Sequence, residues 1–92
     1  MEYTKGKWRV RQGILDKRQI LITADDKVDI AIVRYEIKES KANAHLIAAA
    51  PCMYEALKGL MEIAKIAMPD TFFESDSRVN KARKALAKVK GG

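Results

Sequence analysis

A change of hydrophobic period near residue 40 constrains this chain more than any other feature. Before it, apolar and polar residues alternate in pairs; after it, apolar residues recur every three to four positions. A strand sends successive side chains to opposite faces, whereas a helix gathers i, i+3 and i+4 on one face, so the two halves are built for different elements. The pattern predicts an α+β chain, with an N-terminal three-stranded antiparallel sheet followed by two or three helices packed on it.

Three β-prone runs occupy residues 1–39. Trp8, Val10 and Gln12 alternate with Arg9 and Arg11 in the first, which Gly13 interrupts before Ile14 and Leu15. Gln19 to Thr23 forms the second, and Asp25-Asp26-Lys27 supplies turn chemistry, because aspartate bonds back to its own backbone. The third, Asp29 to Glu36, has apolar residues on both faces: Ile30 and Ile32 on one, Ala31, Val33 and Tyr35 on the other. That pattern suits a central strand, or one covered on both sides.

From Ser40, a candidate N-cap, a short Ala-rich helix runs to Ala50. Pro51 disfavours helical backbone at the residue before it and suits a first turn, so a corner between two helices is expected there, and the segment 40–68 reads as a helical corner. The second helix carries Met53, Leu57, Leu60, Met61, Ala64 and Met68 on one face, with Leu57 and Leu60 expected in the core. Its apolar arc covers half the circumference or more, leaving Glu55, Lys58, Glu62 and Lys65 as a narrow polar stripe. Such a helix needs two neighbours, and the second is either the last helix or another copy of the chain, a homodimer through residues 51–67. Gly59, inside this helix, points to a closely packed neighbour. Thr71 to Ser75 is expected as a linker whose Phe72 and Phe73 fold back as a plug. Asp76 or Ser77 caps a last helix over 77–90, with Val79, Ala82, Leu86 and Val89 inward and Lys81, Lys84 and Lys88 outward.

With 92 residues, 48% of them hydrophobic and 33% charged, the chain has material for a single domain with a modest core. Neither a leader-like start nor a long apolar run is evident, and one cysteine allows no internal disulfide, so a cytoplasmic protein without a membrane partner is expected. The net charge of +6 is unevenly spread. Residues 1–39 contribute +2, residues 40–76 contribute −2, and residues 77–92 contribute +6 with no acid among them. A basic end of this kind meets a phosphate backbone or an acidic protein surface, or is a solvated face.

Catalytic chemistry is poorly supplied. His45 and Cys52 are the only histidine and thiol, and no third residue is apparent to orient them, so neither an enzyme, a metal site nor a cofactor is expected. Asp25, Asp26 and Asp29 lack the glycine and distal glutamate of a calcium loop and read as a hairpin tip. The candidate binding residues are therefore basic: Arg9 and Arg11 on the first strand, and Arg78, Lys81, Arg83, Lys84 and Lys88 on the last helix.

The stretch Lys41 to Leu57, KANAHLIAAAPCMYEAL, is the most distinctive in the chain. It resembles a motif of small bacteriophage and prophage proteins without an assigned activity, in which Ala-Asn-Ala, a variable residue and Leu-Ile-Ala-Ala-Ala-Pro precede a hydrophobic residue and Glu-Ala-Leu. His45 and Cys52 fall at its variable positions. Thr4 to Trp8 resembles the opening of the same group, where a glycine and a tryptophan begin a short β-meander. Read physically, the small alanines permit close helix packing and Asn43 ties the helix to the preceding strand. The resemblance implies a phage origin more than an activity; small phage proteins of this class often bind and disable host machinery, so the expectation is a phage accessory protein that binds and inhibits a host protein, an anti-CRISPR or other anti-defence inhibitor being the concrete form. A nucleic-acid-binding accessory or regulatory protein using the basic helix is the alternative, and a virion-assembly component the third.

Overall fold

The computed structural model describes residues 2–13 and 17–91, so the expected sequel of the first strand at Ile14 and Leu15 lies outside the described residues. The elements are β1 (Trp8–Gln12), β2 (Gln19–Ala24), β3 (Val28–Arg34), α1 (Ser40–Ala67), α2 (Asp70–Ser75) and α3 (Ser77–Val89). β1, β2 and β3 form one antiparallel sheet in that order, followed by three helices, which is the expected α+β class. None of the described helices is long and apolar enough to cross a membrane. The chain divides into two compact units, residues 1–51 and residues 52–92.

In the first unit the alternation of the strands sets the core. Ile20 and Ile22 of β2 are buried, and Trp8, Val10, Ala31 and Val33 pack against them from the flanking strands. Ala44, Ile47 and Ala48 join the same cluster at helical spacing from α1, and Ala44 is fully buried. β3 is an edge strand, contrary to the expectation of a central one, and Ile32 is 55% exposed. A three-strand meander places its middle strand in the centre, and that strand is β2. An irregularity between Ile22 and Thr23 pairs them with Ala31 and Asp29, leaving Ile30 as the extra residue of a bulge. This is why Ile30 packs on the core although it neighbours Ala31.

Asp25, Asp26 and Lys27 connect β2 to β3, with the Lys27 N–H donating to the Ala24 carbonyl at 3.0 Å across Asp25 and Asp26, whose φ of 52° and 58° are the left-handed pair that such a tight turn requires and that aspartate tolerates. The Asp25 carboxylate accepts a hydrogen bond from the Lys7 N–H at 2.8 Å, and the Asp25 N–H donates to the Lys7 carbonyl at 2.9 Å. The turn therefore clasps the segment that leads into β1. Gly6 lies beneath this clasp with φ of 113°, and a Cβ there would collide with the Asp25 carboxylate.

Three expectations about residues 40–51 need correction. α1 is one helix of 28 residues with Pro51 inside it, so no corner between two helices forms there. Proline forfeits one ladder bond, to the Ile47 carbonyl, at a cost of ~3 kcal/mol. Ala48, Ala49 and Ala50 before it, and the strong helix formers Glu55, Ala56, Leu57 and Lys58 after it, offset that loss. Ser40 is not the N-cap: Glu39 supplies the first accepting carbonyl, to the Asn43 N–H at 2.8 Å. The buried Ser40 instead ties the helix to the strand side, its hydroxyl accepting from the Ile37 N–H at 3.2 Å and its own N–H donating to the Ile37 carbonyl at 3.0 Å. Asn43, expected in that role, is exposed.

In the second unit the helical phase shifts. Tyr54, Leu57, Met61 and Ala64 form the partly buried stripe of α1, continued by Met68 just past its end, whereas Leu60 is 64% exposed and does not belong to the core. The expected linker at Thr71 to Ser75 is part of α2, which buries Phe73 and leaves Phe72 exposed. Asp76 caps α3, accepting from the Arg78 and Val79 N–H groups at 2.8 and 3.3 Å. Val79 is buried, Ala82 and Leu86 are half-buried, and Val89 at the helix end is exposed.

Replacing Gly6 by Ala should destabilise the protein by ~1–3 kcal/mol, because both the backbone conformation and the packing on Asp25 exclude a side chain. Urea unfolding read by circular dichroism measures this, and an unchanged midpoint would contradict the clasp.

Candidate partner-binding surfaces

The seven basic residues singled out from the sequence differ sharply in what they touch. Arg9 and Arg11 point away from the core-facing Trp8 and Val10, as alternation requires, and each reaches Asp26 of the hairpin turn at 3.7 Å. One carboxylate thus serves both guanidinium groups. All three side chains are close to half exposed, so solvent weakens these pairs.

On α3, Arg78 bonds the cap residue Asp76 through both Nε and an Nη, the shorter contact being 2.9 Å. That side-chain bond, followed by the Arg78 backbone N–H, lowers the Asp76 pKa from 3.8 to about 2, and the carboxylate raises the Arg78 pKa in return. Arg83 reaches Glu74 of α2 at 3.3 Å and lies over the Phe73 ring at 5.2 Å. Lys81, Lys84 and Lys88 remain. They recur at i, i+3 and i+7, opposite the arc of Val79, Ala82 and Leu86, and have no carboxylate within ion-pairing distance among the described residues. Helical periodicity, with no acid after Asp76, therefore produces one uniformly cationic face. Both neighbouring arginines are spent on local carboxylates.

Sequence reasoning missed a cleft of about 450 Å³ in the first unit. Val10 and Ile20 provide its apolar lining, and Gln12, Lys17, Tyr35, Lys41 and His45 its polar one. Its size is within the range of small-ligand sites. Lys41 and His45 are four residues apart on α1, and that spacing was the one available signal. Gln12 and Lys17 flank residues 14–16, which lie outside the described residues. Cys52 is exposed. No group of three or more His, Cys, Asp or Glu side chains able to hold a metal ion occurs among the described residues.

A small α+β chain, with a β-meander ahead of its helices and a cationic last helix, is the architecture on which the comparisons with known proteins bear. The family model for Salmonella phage P22 protein Y8K6 matches residues 1–92, and the chain belongs to that phage protein family. Neither the curated proteins nor the solved structures gave a match.

The lowered pKa of Asp76 has a defined pH signature. Its folded value of about 2 lies below the ordinary 3.8, so its stabilisation of α3 is complete above pH ~4 and is lost as pH falls from there toward 2. Asp76→Asn keeps a capping oxygen but removes the charge, so the melting temperature of the variant should vary less with pH over that window than that of the parent protein. Parallel acid titrations followed by thermal melts check this, and identical profiles would remove the Asp76–Arg78 pair from the account.

Proposed function

We propose that this phage accessory protein acts stoichiometrically, by docking the Lys81, Lys84 and Lys88 face of α3 on an acidic surface of a host protein and inhibiting it. The observation that carries the reading is that, among the described residues, no carboxylate pairs with these three lysines, while the two arginines beside them are both engaged. Lysine ammonium groups act as point charges that attract an acidic surface and speed encounter, without the bidentate geometry with which arginine reads bases. A host-defence effector, including a CRISPR complex, is the concrete form of the target. A protein of net charge +6 is not a mimic of nucleic acid, so it would act on an acidic face of such an effector and not by filling its cationic nucleic-acid channel.

Nucleic-acid binding through the same face is the second reading, favoured by the absence of any acid from residues 77–92. The two readings separate by salt. Three phosphate contacts to duplex DNA would give a log-log salt slope near −2.7, whereas a protein complex with a desolvated centre retains most of its affinity and loses mainly association rate.

Replacing Lys81, Lys84 and Lys88 together with Glu should leave the melting temperature nearly unchanged, since exposed substitutions move stability by less than ~0.5 kcal/mol apiece. The triple variant should lose capture of the host partner in a nuclease-treated pull-down. If it retains both host-protein capture and any affinity for DNA, the lysine face is solvated surface and the reading fails.

A further inference from the structure

The exposed side of α1 in the second unit is apolar without interruption. Met53, Leu60 and Ile63 are 47%, 64% and 63% exposed, Ile66 is 86% exposed, and Ala56 and Ala67 are exposed between them. At 100° per residue these positions share an arc of about 140° that contains no charged residue. Glu55, Lys58, Glu62 and Lys65 occupy a separate stripe, and Tyr54, Leu57, Met61, Ala64 and Met68 form the partly buried side. The helix therefore has a second apolar face beyond the one its own unit covers.

The spacing of that face identifies its occupant. Met53, Ala56, Leu60, Ile63 and Ala67 follow one another at intervals of three, four, three and four, the seam of a helix that packs along a second helix. The same intervals continue back in the sequence to Ala49 and Leu46. Gly59 lies within the arc. A glycine inside a helix is about 1 kcal/mol less favourable than alanine, yet among the described residues no atom lies within 4 Å of where its Cβ would be. No described residue requires a glycine here, whereas close approach of a second backbone would.

We propose that two copies of the chain pair antiparallel along this face, with the two Gly59 residues meeting near the two-fold axis. The side-chain volumes favour this direction. Antiparallel pairing sets Ala56 against Leu60 of the other copy and Met53 against its Ile63, filling each layer evenly. Parallel pairing would oppose Ala56 to Ala56 and leave a gap between the larger layers. Opposed helix dipoles favour the same direction. The exposed side chains amount to on the order of 600 Å² per protomer, close to the ~800 Å² per partner of a standard interface. The pairing uses no residue of the α3 lysine face, so it stands or falls independently of the proposed function.

Sedimentation velocity on the full chain across the micromolar range tests the pairing. The expected result is a mass that rises to twice that of the monomer. Leu60→Glu should raise the dissociation constant at least ~100-fold without loss of helical circular dichroism. Gly59→Ala separates a packing glycine from a surface one: at the axis it weakens the dimer, whereas on a free surface it would leave the mass unchanged and raise the melting temperature. Direction is read from cysteines. Ile66→Cys should form a covalent dimer with the native Cys52 of the other copy on oxidation, and Cys52→Ser in that background should abolish it. A monomer throughout, a dimer indifferent to both Leu60→Glu and Gly59→Ala, or cross-linking that survives Cys52→Ser would overturn the proposal.

Discussion

The cluster that Ala44 forms with Ile20 and Ile22 is the packing on which the first unit depends. Ile22 and Ala44 are fully buried, and the cluster is the place where the helical period of the second half of the chain meets the twofold period of the first. A methyl side chain at Ala44 lets α1 settle on the sheet, and Ile47 and Ala48 complete the contact one turn later. Ser40 sets where that helix begins, because its two bonds to Ile37 fix the chain between β3 and α1. Leading into β1, the Asp25 clasp performs the same task. The core is thus small, and polar contacts at defined points hold its edges in place.

Much of this was legible in the sequence because it rests on local chemistry. Alternation marked the three strands, Asp25-Asp26 marked the turn between β2 and β3, and Asp76 marked the start of α3. What was not legible required either a sum of propensities or a third dimension. Pro51 read as a break because a proline penalty is local and large, whereas the helix formers on either side act only in aggregate. The phase of α1 failed for another reason. Apolar residues cover so much of its circumference that a wheel cannot say whether Leu57 or Leu60 faces inward; the structure half-buries Leu57 and leaves Leu60 exposed.

The candidate binding residues divide along the same line. That Arg78 would turn back on Asp76 was readable from a separation of two residues, since a cap carboxylate and a nearby guanidinium meet without any tertiary structure. The sharing of Asp26 by Arg9 and Arg11 was not, because it depends on which strands pair and in which register. Net charge counted all seven basic residues alike. Geometry leaves three of them, all lysines on one helix, without a carboxylate among the described residues.

The position of β1 and β3 at the margins of a three-stranded sheet has a bearing on solubility. Each margin presents unpaired backbone groups that could template the addition of another strand, and exposed charges are the usual safeguard against it. Arg9 and Arg11 occupy one margin, Asp29 and Arg34 the other, and all four are exposed. Arg9 and Arg11, which read in the sequence as part of a recognition surface, thereby stand where charge opposes edge-to-edge addition of a strand.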